Sequence, residues 1–423
     1  MINPQLRDAG WNLADRTQVR FEVPVHAYDP TPWNGFTDYS LYDATGQVIA
    51  IVEAKKTARD PREGEEQLRI YLDEVGRAQD LSPFGFMANG LRTYFWEPSV
   101  AHPREIAGFF SPDDLTRLDF FRRNRKPLRE GAINSVIVNR DYLYEAIRRV
   151  TEAFEAGRRR ALLVMATGTG KTRTTMALID LMLRSQWAEK VLFVADRDPL
   201  VEQALTEGFK AFIPSEPRVR ISTGNIDKTQ RLYVATLQTM SRCFQLFTPG
   251  FFDLVVFDEA HRSIFNRFNE VIEYFDGRIV GLTATPAAFI DRNTFLTFQC
   301  DDSKPTFLYT YEQAQKDKHL VPFQLFKSNT FFQREGIKGA KLSEEERDTL
   351  IEQGIDPDAL NYEGTDLEDT VSNRDTIRKQ WELIWEECIK DRGGNLPGKT
   401  IIFALTKGHA ERIRGNQGSQ QEE

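Results

Sequence analysis

Short apolar runs alternate with helical stretches from about residue 141 onward, and this alternation constrains the fold more than any other feature of the chain. Each run has the length of a strand, and helical stretches begin at Lys171 and Pro199. Continuous apolar strands separated by helices are typical of a parallel sheet covered by helices on both faces. We therefore predict an α/β fold here, with strands at 161–165, 191–195, 232–235, 254–257 and 278–282.

The first ~125 residues are predicted to form a separate unit. Two strand-like runs flank Asn89-Gly90, which is a strong hairpin signal. Ser111 and Pro112, followed by two acids, indicate the start of a helix. The basic stretch 120–127 is interpreted as a linker. Helices are predicted at 4–16 and 63–79, and strands at 18–25, 36–43, 47–54, 84–88 and 91–96.

The whole chain is predicted to have four parts. They are a first domain at 1–125, a basic linker at 126–140, a parallel-sheet domain at 141–290, and a connector with an acidic insertion and a further partial domain at 291–423. In the last part, a capping box from Ser343 to Glu346 predicts a surface helix, and the run 399–405 predicts a strand.

Charge and composition exclude several classes of protein. The net charge of −8 is uneven, because residues 335–369 hold twelve acids and three bases, whereas 117–160 hold twelve bases and six acids. The basic region could therefore contact nucleic acid, or it could be an ordinary solvated surface. No apolar run approaches the ~20 residues of a membrane span. The three cysteines are too far apart to form a disulfide framework or a zinc site, which indicates a reduced, cytoplasmic protein.

A loop of small residues connects the strand predicted at 161–165 to the helix that begins at Lys171. Small residues let backbone N–H groups point at phosphates; Lys171 would reach the β- and γ-phosphates, and the Thr172 hydroxyl would ligate Mg²⁺. The pattern G-x-x-x-x-G-K-[ST] is not fully met, because Met165 occupies the first glycine position. An ordinary Gly-rich turn is the alternative. The candidate ATP-binding residues are Ala166, Thr167, Gly168, Thr169, Gly170, Lys171 and Thr172.

Two acids follow the strand predicted at 254–257, at the edge where parallel sheets bind ligands. Asp258 can hold Mg²⁺ through water, and Glu259 can orient and deprotonate the attacking water. Either motif alone could be structural. Both motifs at this spacing favour an ATPase site.

The segments 166–172, 258–261 and 283–285 together resemble motifs I, II and III of superfamily 2 helicases and translocases. This resemblance implies a RecA-like domain with ATP as cofactor, His261 as a further ATP-site residue, and Thr283 and Thr285 as coupling residues. It also implies that 195–198 and 236–239 touch the nucleic-acid backbone. The residues concerned are Arg197, Thr236 and Gln238.

The sequence departs from that superfamily in two ways. The run 399–404 resembles the start of a second RecA-like domain, but the later motifs, including the arginine finger, have no counterpart. The sequence is therefore interpreted as an amino-terminal fragment that hydrolyses ATP weakly. Related motors often have a Gln shortly after an Arg-x-Tyr; here Arg140-Asp141-Tyr142 is followed by Leu143, which leaves adenine recognition open.

A second candidate site involves two carboxylates in the first unit. A hairpin centred between Thr45 and Gly46 would place Asp38 opposite Glu53. Facing carboxylates are destabilising unless a cation lies between them, and Mg²⁺ is the simplest such cation. Lys55 lies on the same strand face as Glu53 and could hold the attacking water or stabilise the developing phosphate charge. The alternative is a surface hairpin with a Glu–Lys pair.

Gln67 and Tyr71 follow on one face of the next predicted helix. With the carboxylates they resemble the PD-(D/E)XK nuclease core, and the Gln-x-x-x-Tyr element resembles that of its type I restriction branch. Tyr71 could alternatively be a core residue. The resemblance implies Asp38, Glu53 and Lys55 as the catalytic set, and Asp38, Glu53 and Ala54 as the metal-holding positions. Thr37 stands where the Pro of that name would be, and Asp8 and Asp15 both remain open as an additional N-terminal acid.

The order of a nuclease followed by a superfamily 2 motor resembles the R subunit of type I restriction enzymes. This implies an ATP-dependent translocase of double-stranded DNA that cuts DNA with Mg²⁺, together with modification (M) and specificity (S) subunits as partners. Two alternatives stay open. One is a stand-alone helicase–nuclease for phage defence or DNA repair. The other is a DNA-binding scaffold with an inert nuclease site.

Overall fold

The structure, a computed structural model, describes residues 2–25, 35–79, 81–98, 100–224, 226–260, 267–300 and 303–323. Beyond these it describes 337–338, 344, 347–348, 351, 361–362, 382–391, 393–394, 398–403, 407 and 410–411. The chain divides into two compact units, Met1–Pro322 and Phe323–Glu423. Both candidate sites lie in the first unit. No helix of the described residues is long and apolar enough to cross a membrane.

A six-stranded mixed sheet forms the first layer of this unit, with its strands in chain order. The third and fourth strands are parallel and the other neighbours are antiparallel. Its strands are β1 (Val19–Pro24), β2 (Phe36–Tyr42), β3 (Val48–Ala54), β4 (Phe84–Ala88), β5 (Thr93–Trp96) and β6 (Arg104–Ile106). Its helices are α1 (Ile2–Asp8), α2 (Glu65–Gln79) and α3 (Pro112–Asn124), with a 3₁₀ helix at Pro61–Gly64.

Strand β3 is buried over its first six residues. Successive side chains point to opposite faces of a strand; Ala50 and Val52 pack into one apolar cluster, whereas Ile51 between them packs into another. Helix α2 contributes to the second cluster through Leu68, Tyr71 and Leu72. Glu53, the last buried residue of β3, therefore emerges from a strand that is covered on both sides.

A seven-stranded sheet forms the second layer, and every neighbouring pair in it is parallel. The strand order is β13-β7-β12-β11-β8-β10-β9. The strands are β7 (Arg160–Met165), β8 (Val191–Ala195), β9 (Arg218–Arg220), β10 (Leu232–Thr236), β11 (Leu254–Phe257), β12 (Arg278–Thr283) and β13 (Phe307–Tyr309). This arrangement confirms the predicted parallel α/β fold, and it adds two short edge strands, β9 and β13.

Helices cover both faces of the second sheet, as its fully apolar strands require. One face packs on α4 (Asp141–Glu155) and α5 (Lys171–Arg184), and the other on α7 (Leu237–Cys243), α8 (Arg267–Tyr274) and α9 (Arg292–Thr297). The remaining helices are α6 (Asp198–Gln203) and α10 (Tyr311–Lys316), a π-helix at Ala204–Lys210, and 3₁₀ turns at Leu128–Glu130, Phe244–Leu246 and Ala287–Phe289.

One predicted helix and a predicted linker differ from the structure. The helix predicted at 4–16 ends at Asp8, and Gly10 adopts a positive φ of 95° just beyond it. The stretch 120–127, predicted to be a linker, instead supplies the last turn and a half of α3 through Asn124. The segment that follows also packs closely, because Leu128 and Ile137 belong to the apolar core of the second layer.

The described residues of the second unit contain one antiparallel pair, β14 (Ile337–Lys338) with β15 (Asn361–Tyr362). The strand predicted at 399–405 is absent over its described part, 399–403, and the side chains of Ile401 and Phe403 are exposed. A parallel strand needs neighbouring strands to bury its apolar residues, and this run has none among the described residues. The capping box predicted between Ser343 and Glu346 lies outside the described residues.

Candidate functional sites

The hairpin of β2 and β3 has the register that places Asp38 opposite Glu53. The pairs Tyr39–Val52, Ser40–Ile51 and Leu41–Ala50 follow the predicted pairing, which shifts by one residue only at Tyr42. An oxygen of Asp38 accepts a hydrogen bond from the Ala54 N–H at 2.6 Å. This bond fixes the Asp38 carboxylate at the end of β3, next to Glu53.

Lys55 forms the centre of a polar cluster at this end of the sheet. Its Nζ lies 2.7 Å from Oε1 of Glu53 and 3.3 Å from Oε1 of Gln67. The Gln67 amide in turn donates to the hydroxyl of Tyr71 at 2.9 Å. The five residues predicted as the nuclease set, Asp38, Glu53, Lys55, Gln67 and Tyr71, therefore lie together, on two strands and one helix.

The side chain of Glu53 is more deeply buried than that of Asp38. It is 3% exposed, and its second oxygen, Oε2, is buried and has no hydrogen-bond partner in the part of the chain that the structure describes. Burial raises the pKa of Glu53 against the opposing hydrogen bond from Lys55, and the nearby Asp38 adds to the rise. A buried carboxylate oxygen without a partner is costly, unless a cation or a further donor occupies the space beside it.

These residues fit a divalent cation. Oxygen ligands suit Mg²⁺, and the unpartnered Oε2 of Glu53 together with Asp38 offers such ligands. The described residues contain no cluster of three His, Cys, Asp or Glu side chains that could hold a metal. The oxygen atoms available at this position are those of the two carboxylates and of the main chain at Ala54. Gly64 was not predicted as a site residue. A Cβ there would lie 2.7 Å from Cγ of Glu53, so glycine keeps the space beside this carboxylate open.

Tyr71 is a core residue whose hydroxyl also contacts the polar cluster. It belongs to the apolar cluster under the sheet and is 4% exposed, and its hydroxyl also holds Gln67. The proposed N-terminal acids have no such role here. Asp15 accepts hydrogen bonds from the N–H and hydroxyl of Thr17, and Asp8 is an exposed residue at the end of α1. Neither contacts the carboxylate cluster, because the helix that would have carried both ends at Asp8.

The candidate phosphate loop, residues 166–172, connects β7 to α5 as predicted. Gly168 and Gly170 have φ values of 83° and 98°, a left-handed conformation that glycine adopts without strain. Gly170 caps α5, so the loop ends at a helix N-terminus, which favours anions. Thr172 lies in the first turn of that helix. This geometry is that of a phosphate-binding loop even though Met165 breaks the strict pattern.

Asp258 and Glu259 lie beside this loop at the carboxyl end of β11. Lys171 Nζ is 3.4 Å from Oε1 of Glu259, so loop and acids form one polar site. Burial raises the pKa of Asp258, while Lys171 opposes the rise. Glu259 has a positive φ of 54°, a strained conformation that is common at functional sites. His261 lies outside the described residues.

An aromatic pair that the sequence did not predict supports the phosphate loop. The rings of Tyr142 and Tyr309 stack, with their centroids 4.0 Å apart and their planes 10° apart. The centroid of the His319 ring lies 5.0 Å from that of Tyr142. The Tyr142 hydroxyl donates to the carbonyl of Thr169 at 2.6 Å, and the Tyr309 carbonyl accepts from the N–H of Ala166. The Arg-x-Tyr at 140–142 was the only signal available for this pair.

The residues predicted for coupling and DNA contact lie at the same edge of the sheet. Thr283 is buried at the end of β12, and its hydroxyl accepts from the N–H of Thr285. Thr236 caps α7 through the N–H of Thr239, whereas Arg197 and Gln238 are exposed. Exposed side chains at the carboxyl edge of a parallel sheet are available to a ligand.

Several arginines of the basic region 117–160 are already paired within the protein. Arg117 is 7% exposed and binds Asp114 and Asp253. Arg122 and Arg123 both pair with Asp119. The Arg117–Asp253 pair connects α3 to the second sheet layer, whereas the pairs with Asp119 lie within α3. Only part of the positive charge counted in the sequence is therefore unpaired.

Comparison with known proteins identifies a matching family and several similar proteins. The ResIII family (Type III restriction enzyme, res subunit) matches residues 137–288, which carry the phosphate loop and the paired acids. The EcoAI type I restriction enzyme endonuclease subunit of Escherichia coli is 27% identical over 448 residues, which cover 98% of this chain and 52% of the relative. The EcoKI endonuclease subunit of E. coli strain K12 is 26% identical over 98% of this chain and 42% of the relative.

A solved fragment assigned to the HsdR subunit of a type I restriction enzyme from Vibrio vulnificus YJ016 is 22% identical, with a TM-score of 0.46, and covers 99% of this chain and 73% of that chain. The chain spans about half the length of the curated relatives that it matches.

The parallel sheet, phosphate loop and paired acids define an α/β protein with a helicase-like, ATP-binding domain. A second, carboxylate-bearing sheet precedes this domain in the chain. The chain is homologous to the endonuclease subunits of type I restriction enzymes.

Proposed function

We propose that this chain is the nuclease-and-motor part of a type I restriction subunit, which couples ATP-dependent translocation of duplex DNA to Mg²⁺-dependent cleavage. The nuclease domain would be 1–125, the segment 126–140 would connect it to the RecA-like motor at 141–290, and 291–423 would begin a second RecA-like domain. The observation that carries the proposal is the unpartnered, buried Oε2 of Glu53 next to Asp38 and Lys55. In a purely structural Glu–Lys pair, we would expect both buried carboxylate oxygens to accept hydrogen bonds.

Cleavage would use the cluster at the end of β3. Asp38, Glu53 and the main chain of Ala54 would hold Mg²⁺, which when bound supplies Lewis-acid activation of the phosphate and of water. Lys55 would stabilise the negative charge that develops on the scissile phosphate, or hold the attacking water. Gln67 would act as a positioning residue, because its amide bridges Lys55 and Tyr71 and so fixes the direction of the ammonium group.

ATP hydrolysis would use the site at the carboxyl edge of the second sheet. Lys171 now interacts with Glu259, and the β- and γ-phosphates of ATP would replace that carboxylate as its partner. Glu259 could then orient and deprotonate the attacking water. Thr172 and Asp258 would hold the Mg²⁺ that accompanies the nucleotide, directly and through water respectively.

The partners follow from the family. The proposal assigns double-stranded DNA as the substrate, M and S subunits as the source of sequence recognition, and the cytoplasm as the location. The names of the relatives support a restriction complex.

The decisive experiment measures DNA cleavage and ATPase activity on one preparation of the full-length enzyme with its partner subunits. Glu53→Ala is expected to abolish cleavage and to leave ATPase activity and translocation intact, because Glu53 belongs to the first sheet. Lys171→Ala is expected to abolish both activities. Glu66→Ala is a matched control, since this carboxylate lies on the nearby helix α2 with its side chain 72% exposed, and it should change neither activity.

A second readout does not depend on turnover. Mg²⁺ should raise the Tm of the Lys171→Ala chain by binding to the folded state, and the additional change Glu53→Gln should remove most of this rise. Cleavage that survives Glu53→Ala would place the nuclease elsewhere. No cleavage by the parent enzyme, together with no metal-dependent stabilisation, would favour the scaffold with an inert site.

A further inference from the structure

A cavity of about 450 Å³ lies between the two sheet layers, away from both candidate sites. It is bordered by the C-terminal end of α3, the start of β6, and the segments that lead into β7 and β12. Six guanidinium groups and only four carboxylates line it. The arginines are Arg104, Arg122, Arg125, Arg158, Arg159 and Arg278.

Two of the four carboxylates, Asp276 and Asp253, have arginine partners. Asp276 accepts two bonds of 2.7 Å from Arg104 and also lies 3.2 Å from Arg159, so one carboxylate serves two arginines. Asp253 binds Arg117, which does not line the cavity, and accepts backbone N–H groups with its other oxygen. The lining arginines outnumber the lining carboxylates, although Glu97 also lies close enough to act on the pKa of Arg159 and Arg278.

Arg125 and Arg278 have no carboxylate partner among the described residues. Both guanidinium groups instead lie over the indole ring of Trp187, at 5.2 Å and 4.5 Å from its centroid. The Nε of Arg278 is buried without a hydrogen-bond partner, and so is one terminal nitrogen of Arg122, Nη1. Unpartnered buried donors on positively charged groups are rare, because each one loses its hydration without compensation.

The electrostatics of the cavity agree with this picture. Burial, followed by repulsion from Arg159 and Arg125, lowers the pKa of Arg278 to about 9. Burial likewise lowers the pKa of Arg159 to about 10. Both groups stay protonated at neutral pH, so the cavity holds like charges close together.

We propose that this cavity is a binding site for the phosphate group of a small ligand, such as inorganic phosphate, pyrophosphate or a nucleotide. Guanidinium groups match phosphate oxygens with paired N–H donors, and the unpartnered nitrogens of Arg122 and Arg278 supply donors of this kind. Arg122 and Arg125 come from the end of α3, whereas Arg278 starts a strand of the second sheet. A bound phosphate would therefore join the two layers and stabilise their contact.

The test uses thermal unfolding of the full chain in the Lys171→Ala background, so that the phosphate loop does not contribute. Inorganic phosphate, pyrophosphate, ATP and a short DNA duplex are titrated separately at constant ionic strength. At least one of the three small phosphates is expected to raise the Tm saturably. Arg125→Gln should weaken that ligand's apparent affinity about tenfold or more, because a charged donor is lost. Arg129→Gln is the matched control: an exposed arginine four residues further on that does not line the cavity.

Without ligand, Arg125→Gln is expected to keep or slightly raise the Tm, because it relieves repulsion with Arg278; with the stabilising ligand, its Tm should fall below that of the parent. A merely structural arginine would lower the Tm in both conditions. Equal effects of Arg125→Gln and Arg129→Gln, or no saturable rise with any small phosphate, would overturn the proposal. Stabilisation by duplex DNA alone would also overturn it, and would make the cavity part of a DNA path.

Discussion

Arg117 donates its Nε–H to Asp253 at 2.9 Å, and this ion pair connects helix α3 to the residue just before strand β11. The same guanidinium donates to the carbonyls of Gly250 and Phe251 and to Asp114. Although burial alone would lower the pKa of Arg117, Asp253 and Asp114 hold it above its usual value. Strand β11 ends one residue before Asp258, the candidate Mg²⁺-holding residue, so this contact ties the first layer to the frame of the ATP site.

Breaking this pair should destabilise the protein strongly. Asp253→Ala is expected to lower the free energy of unfolding by about 3–5 kcal/mol, because it leaves Arg117 buried without its main counter-charge. Urea denaturation measures the change. Glu145→Ala is the control, since its pair with Arg149 is exposed, and such pairs contribute at most about 1 kcal/mol. Equal effects of the two changes would show that the buried pair adds nothing to the layer contact.

The chain Lys55–Gln67–Tyr71 predicts a graded set of effects on cleavage. Gln67→Ala should reduce cleavage without changing stability, because Gln67 positions Lys55 and packs little. Tyr71→Phe should reduce cleavage less, since the ring stays in the core and only one hydrogen bond is lost. Tyr71→Ala should also lower the free energy of unfolding by about 3–5 kcal/mol through the cavity left in the core. Cleavage rates and urea denaturation on the same preparations separate these effects, and cleavage unaffected by Gln67→Ala would remove its positioning role.

Tyr142 provides a test of how the phosphate loop is held. Tyr142→Phe removes the hydrogen bond to the Thr169 carbonyl but keeps the stack on Tyr309, so ATP affinity should fall by up to about tenfold. Tyr142→Ala removes both contacts and should weaken binding further. Isothermal titration with ATP measures the affinity, and Tyr144→Phe is the matched control, because its hydroxyl binds the Val138 carbonyl instead. Equal losses at Tyr142 and Tyr144 would indicate a general effect on helix α4.

The parallel sheet and both candidate sites could be predicted because their signals are local. Apolar runs in β7, β8 and β11 mark strands, and a two-residue spacing puts Glu53 and Lys55 on one face. The pairing of Asp38 with Glu53 also followed from one turn, since a hairpin register is fixed by its loop. Each of these inferences needed only a few consecutive residues.

The remaining features depend on contacts that are distant in sequence. The edge strand β13 is three residues long and is stabilised by pairing with β7, more than 140 residues earlier. Arg117 belongs to the basic region 117–160, and its partner Asp253 is 136 residues away. The sequence alone therefore could not show that this arginine is buried in a contact within the protein. For the same reason, the end of α3 was mistaken for a linker: Arg125, just beyond the helix, packs over Trp187, a contact that composition does not reveal.

The structure also narrows the prediction for DNA binding. Arg117 is buried, and Arg122 and Arg125 line the cavity between the layers, so these residues should contribute little to phosphate contacts with duplex DNA. Arg123, Lys126 and Arg129 are exposed and remain available. If all three contact DNA, neutralising them together should reduce the slope of log binding constant against log salt by up to about 3, because each contact contributes about 0.9.

This change is measured by fluorescence anisotropy with a short duplex, repeated at salt concentrations from about 50 to about 200 mM. The sequence of the duplex should not matter, since phosphate contacts carry no base information. The triple change Lys304→Gln, Lys316→Gln and Lys318→Gln removes the same charge from other exposed positions and serves as the control. A slope that falls equally in both triple variants would reflect net charge alone. A slope that falls only in the first would place the DNA beside the segment that joins the two layers, where a duplex leaving the motor could reach the carboxylate cluster.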